Sequence, residues 1–240
     1  MTTRVLRWVA ADANSSDEQR MIRIHRSSLP ILALIMPTTS FRPSLHGWRF
    51  VNRFASSPFG ALGFCGGMCF GALDRFHDGA PIPPDREAPK PMSPLFREIA
   101  GRQLATLKGG MWLDTYRWQL LPDHDRDGKP GIGTRTAAEW PKIRVEIDAG
   151  RPVVLCLIRA SGTFGNVFVN HQVVAFGYEY DAAKQIATIA VYDPNHPNRP
   201  DTAPVTLTLH LARPATDWSA SQSTRERLRG LFVVPYDRSE

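Results

Sequence analysis

Two runs rich in Val, Ile and aromatic residues, Val169 to Tyr178 and Ile186 to Asn195, flank the short polar break Asp181-Ala182-Ala183-Lys184. Branched and aromatic side chains pack well on a pleated surface, so both runs favour extended backbone. A break this short closes a hairpin, and the chain must therefore contain an antiparallel pair in its second half. More strands are expected around it. The near-continuous apolar run over 152–159 reads as a central strand, and Val205 to Leu211 alternates as another. Leu231-Phe232-Val233-Val234 reads as the last, ended or left at a sheet edge by Pro235.

The first half reads differently. Gly63-Phe64-Cys65-Gly66-Gly67 is a glycine-rich turn leading into a helix whose apolar stripe is Met68, Cys69, Ala72, Leu73 and Phe76, with Gly79 closing it. Ser93-Pro94 has the chemistry of a helix start, a hydroxyl cap followed by proline at the first helical position. That helix carries Leu95, Ile99, Leu104 and Leu107 and ends at Gly109-Gly110. Met111 to Leu121 predicts a further helix with Trp112, Tyr116 and Leu120 on one stripe. Thr136 and Glu139 have capping-box spacing before Trp140-Pro141, for a helix ending near Ala149-Gly150. Helices first and strands afterwards make an α+β fold.

With 240 residues, the chain has room for one sizeable core. The division expected is an N-terminal extension over 1–40, partly disordered, and a domain over 41–240. Within the extension, Arg20, Arg23 and Arg26 precede the apolar run Leu29 to Met36. That run is marginal for a secretory signal, contains Pro30 and lacks an Ala-x-Ala site, so a buried strand is expected. It is too short to span a membrane. The expectation is a cytoplasmic protein, or one exported without a convincing signal peptide. The net charge of +6 is carried mainly by scattered arginines, without the basic run of a nucleic-acid arm, and no nucleic-acid partner is expected. Three cysteines cannot all pair within the chain, which favours free thiols over a disulfide framework.

Cys65 is the candidate nucleophile, because the N–H groups of a helix start favour a thiolate. Cys69, one turn deeper, belongs to the buried stripe. If the hairpin pivots on Ala182, His171 pairs with Asp193 at about 4.5 to 5.5 Å between side chains. A carboxylate accepting the Nδ1 proton would leave Nε2 facing the nucleophile. Cys65, His171 and Asp193 are then a complete nucleophile, base and orienting acid.

A cysteine at a helix start, followed by Asn170-His171-Gln172-Val173-Val174-Ala175-Phe176-Gly177-Tyr178 and then Tyr192-Asp193-Pro194-Asn195, resembles the papain-like cysteine peptidase superfamily, in particular bacterial C39-like peptidases. The resemblance covers three short islands between residues 60 and 195. It implies a nucleophile helix packed on a C-terminal antiparallel sheet, a peptide or protein substrate, and hydrolysis of a peptide or related amide bond through an acyl-enzyme, without a cofactor. The superfamily usually places an oxyanion-hole Gln about six residues before the cysteine, where this chain has Phe59. Asn52 is the nearest upstream amide that could replace it, with the Cys65 N–H as second donor. Loss of one such donor costs about 2.7 to 4 kcal/mol of transition-state stabilisation.

Other functions compete. The same triad serves deamidation or acyl transfer, in an effector among other settings, and without an oxyanion donor the chain would be an inactive binding module. Asp123, Asp125 and Asp127 followed by Gly128 repeat half of a calcium loop, but Thr134 stands where a bidentate Glu is wanted, which favours an acidic surface loop. Cys65, Cys69 and His77 lack a fourth metal ligand, and no metal is expected. His196 is an alternative base without a positioning strand. Trp48, Trp112, Trp118 and Trp140 could line a cleft, although most read as core anchors.

Overall fold

The helix and strand patterns separate along the chain as the sequence implies, and the result is an α+β protein. The computed structural model describes residues 37–54, 63–107 and 110–238. The run Leu29 to Met36, the rest of the expected extension before it, and Phe59 lie outside the described residues. Within them the helices are α1 (Pro43–His46), α2 (Cys65–Asp78), α3 (Pro94–Ala105), α4 (Met111–Leu120) and α5 (Ile132–Asp148). The strands are β1 (Val153–Ile158), β2 (His171–Asp181), β3 (Ile186–Tyr192), β4 (Val205–His210), β5 (Ser219–Gln222) and β6 (Gly230–Val234). They form one antiparallel sheet in the order β5-β4-β3-β2-β1-β6. Among the described residues, no helix is long and apolar enough to cross a membrane.

The helix that begins at Cys65 is held from two sides. α2 packs on β2 and on α3, burying Met68, Cys69, Ala72 and Leu73 completely. Full burial of a Met or Leu side chain contributes about 1.5–3 kcal/mol. Gly67 lets the helices touch, since a Cβ there would stand 2.1 Å from the Ile99 carbonyl oxygen. Gly79 ends α2 in the left-handed conformation at φ 63°, as expected, and Ser93 Oγ accepts the Phe96 N–H at the start of α3.

Several local expectations are corrected. α5 begins at Ile132, before the predicted capping box. Thr136 Oγ1 and Glu139 Oε2 instead accept the N–H groups of Leu231 and Val233, each at 3.1 Å. The two side chains thus cap donors of β6, an edge strand that would otherwise present them to another chain. α3 ends at Ala105, before the expected Gly109-Gly110; on it Ile99 is buried and Leu104 exposed, and Leu107, beyond its end, is exposed too. On α4 the inward face is Met111, Thr115 and Gln119, one residue out of phase with the predicted stripe, and Trp112 stacks on Tyr116 outside. β1 is fully buried and interior, but it is next to the edge strand rather than central.

The hairpin forms with a different register. Asp181 stands opposite Ile186, and the ladder runs regularly to Gly177 opposite Ala190. Phe176 is then an extra residue, after which Ala175 opposes Val191 and Val174 opposes Tyr192. This β-bulge is fastened by the segment before α1. The Phe176 carbonyl accepts the Thr39 N–H at 2.8 Å, and the Pro37 carbonyl accepts the Tyr178 N–H at 3.1 Å.

Candidate functional site

A helix start leaves four N–H groups without intrahelical acceptors, and at α2 each can be followed. The Phe64 N–H goes to Asn52 Oδ1 at 2.6 Å, and the Gly67 N–H to Gln103 Oε1 at 2.8 Å. Of the other two, the Gly66 N–H turns to the Cys65 sulfur, and the Cys65 N–H has no acceptor among the described residues. Asn52 thereby ties the 48–54 segment to the helix start, while its own amide donates to Asn195 Oδ1 at 3.2 Å. The carboxamide proposed as an oxyanion donor is thus engaged with the loop that follows Asp193.

His171 opens β2 and is 3% exposed; Asp193 follows β3 and is 1% exposed. His171 Nε2 lies 2.7 Å from Asp193 Oδ1. The ring is therefore turned opposite to the expectation, with Nε2 toward the carboxylate and Nδ1 left for Cys65. Asp193 Oδ1 also accepts the Asn195 N–H at 2.8 Å.

Gln222, on a strand that sequence patterns did not reveal, completes the carboxylate's surroundings. Its Nε2 donates to Asp193 Oδ2 at 2.8 Å and to Glu226 Oε2 at 3.0 Å, and its Oε1 accepts from Arg159 Nη2 at 3.0 Å. Asn170, beside His171 in sequence, anchors the neighbouring loop by accepting the N–H groups of Arg159 and Ala160. A single buried amide bridging two carboxylates holds Asp193 in one orientation.

The electrostatics follow from these contacts. Burial alone disfavours a Cys65 thiolate, yet the hydrogen bond and charge of His171, together with the Gln172 and Gly66 N–H groups, hold the thiol below its usual range. Burial likewise opposes a charged His171, but the charge and hydrogen bond of Asp193, with those of Cys65, raise it to about 9. Asp193 is pulled down by the same partner in spite of its burial. All three shifts favour a thiolate facing an imidazolium. Burial drives Cys69 well above the usual thiol range and pushes Cys156 up to about 12, so both stay protonated thiols near neutral pH.

The other candidates fall elsewhere. His196 Nε2 is 3.3 Å from Glu226 Oε2. Asp193, His196 and Glu226 offer ligand atoms within 4.8 Å of one another. Arg159 Nη2 is 3.4 Å from Glu226 Oε2 and the Gln222 amide already donates to both carboxylates, which opposes a cation there. In the acidic loop, Asp125 Oδ1 accepts from the Gly131 N–H and Thr134 Oγ1, and the Arg229 guanidinium sits on Asp123. The cation position beside Asp123 is taken by a side chain of the protein. Trp48 and Trp140 are core residues, Trp118 packs against Phe232, and Trp112 alone of the four reaches the cleft beside Cys65.

No family model, curated protein or solved structure matches the chain.

Proposed function

We propose that the chain is a papain-like thiol hydrolase acting on a peptide or related amide bond. The observation that carries this reading is the convergence on one thiol of a helix start, whose Cys65 N–H has no acceptor among the described residues, and an imidazole braced by a buried carboxylate. Cys65 is the nucleophile, His171 the base through Nδ1, and Asp193 the acceptor that fixes the ring. The thiolate attacks the carbonyl carbon, the oxyanion gathers the Cys65 N–H, and the imidazolium returns its proton to the leaving amine. Water, deprotonated by His171, then releases the acid and frees the thiol. Deamidation and acyl transfer use the same steps with another leaving group or acceptor. Engagement of Asn52 with Asn195 favours the second reading, a binding module with the same fold, because it ties the amide expected to replace the missing Gln to another partner.

Trapping the acyl-enzyme tests the proposal. An acetylated amino-acid nitrophenyl ester, quenched in acid and read by intact and peptide mass, is expected to leave one acyl group on Cys65 and release nitrophenolate. Cys65→Ala should abolish the adduct and His171→Ala should slow its formation by about 10²-fold or more. No adduct, or one indifferent to His171, would overturn the hydrolase reading and favour the binding module.

A further inference from the structure

Cys65 and His171 form one wall of a cavity of about 260 Å³. At about 30 Å³ for each water-sized group, this is room for one amino-acid side chain and the start of its backbone. The remaining walls are apolar in a way the fold does not require. Leu107, Met111 and Trp112 border it from the α3–α4 corner, and Val167 and Phe168 from the turn before β2. Trp112 is 49% and Phe168 76% exposed, so neither is held by the protein core. At the inner end Thr115 and Cys156 are buried together, 3.8 Å between Oγ1 and Sγ.

None of the described residues lining the cavity is Asp, Glu, Lys or Arg. Of the amides that border it, Gln103 accepts the Gly67 N–H and Asn170 donates to Gln119 Oε1 at 3.3 Å, while Gln172 Oε1 is buried without a hydrogen-bond partner among the described residues. A charged side chain entering this space would find chiefly the Cys65–His171 pair and the Gln172 amide to replace its water, against walls that are otherwise mostly apolar. An apolar group would cover the Trp112 and Phe168 faces as well as its own.

We infer that this cavity selects substrates by an uncharged apolar side chain, leucine- or phenylalanine-like, adjoining the scissile carbonyl. The inference deepens the hydrolase reading and rests on it for placing that side chain beside the bond attacked. The cavity itself is tested without chemistry at Cys65.

Binding of N-acetyl-leucine methylamide and N-acetyl-phenylalanine methylamide to the intact protein would be compared with their glutamate and lysine counterparts by calorimetry. The apolar probes are expected to bind roughly tenfold tighter or more, the discrimination typical of an apolar pocket. Val167→Trp, on a half-buried turn, should weaken the leucine probe by a similar factor. Trp112→Arg, on the exposed rim, should narrow the preference for leucine over glutamate. Equal affinity for the four probes, no saturable binding, or no response to either variant would overturn the inference. Iodoacetamide labelling of the same samples separates the two claims. A reactive Cys65 with no probe bound would sink the cavity assignment and leave the thiol hydrolase standing. An inert Cys65 with the leucine probe bound would do the reverse.

Discussion

His171 and Asp193 share one face of the sheet through an extra residue between them, Phe176. Continuing the ladder beyond Ala175 and Val191 places Asp193 opposite Val173, two residues from His171 and on its side of the strand. Without the bulge, Asp193 would oppose Val174, and His171 would project from the other face, because a slip of one residue inverts every side chain. The diagonal separation is within reach of a long ring and a carboxylate, which is how the 2.7 Å contact forms.

Deleting Phe176 should therefore return Cys65 to the pH dependence of an ordinary thiol, in the protein that still folds. Phe176→Ala keeps the bulge and should keep the reactivity, while lowering stability by about 3 kcal/mol or more through lost core packing. Urea unfolding and alkylation rates measured on both variants check this. Equal reactivity of the deletion and the unmodified protein would refute the role of the bulge.

This bulge also marks how far the site could be read from the sequence. Five of the six strands, their order of appearance and the residues Cys65, His171 and Asp193 are legible because apolar runs and a helix start leave local patterns. A bulge normally shows as a break in alternation, but every residue from His171 to Tyr178 is buried, and no alternation exists to break. The face of α4 was hidden for a related reason. Trp112, Leu113 and Leu120 are exposed, and two of its three inward positions are the polar Thr115 and Gln119, in contact with Cys156 and hydrogen-bonded to Gly162 and Gly165. β5 carries Ser219, Ala220, Ser221 and Gln222, with no branched residue to announce a strand, and Gln222 was missed with it.

Gln222→Leu should raise the pH at which Cys65 alkylates toward the ordinary thiol value of about 8.5. Asp193 would lose one donor, and two carboxylates would face each other without the amide between them. Leaving buried acceptors unpaired costs about 1–3 kcal/mol, readable by denaturant unfolding. A positioning residue predicts both changes. A stability loss with an unchanged alkylation profile would assign Gln222 to structure alone.

Stability should carry the signature of the raised His171. Its folded-state value of about 9 exceeds the ordinary 6.5, so its charged form stabilises the fold fully below about 6.5, and that contribution is lost as pH rises through about 9. The stability difference between the unmodified protein and Asp193→Asn should accordingly be largest near pH 6 and shrink toward pH 10. A difference that grows with pH would contradict the assignment.

Gly67→Ala should separate α2 from α3. The new methyl would meet the Ile99 carbonyl oxygen at 2.1 Å and the Gln103 nitrogen at 2.9 Å, both backbone atoms that cannot swing aside. Overpacking of this kind costs about 3 kcal/mol, and thermal unfolding should show it clearly. A variant as stable as the parent would mean that the two helices are not in the close contact described.

The central claim, a thiol activated by His171, is tested most directly by the pH dependence of Cys65 alkylation with iodoacetamide, with the label located by mass spectrometry. The account predicts rapid labelling well below the ordinary thiol value of about 8.5, lost in His171→Ala, much reduced in Asp193→Ala, and retained in Cys69→Ser. A Cys65 that alkylates only at alkaline pH, or equally well without His171, would contradict it.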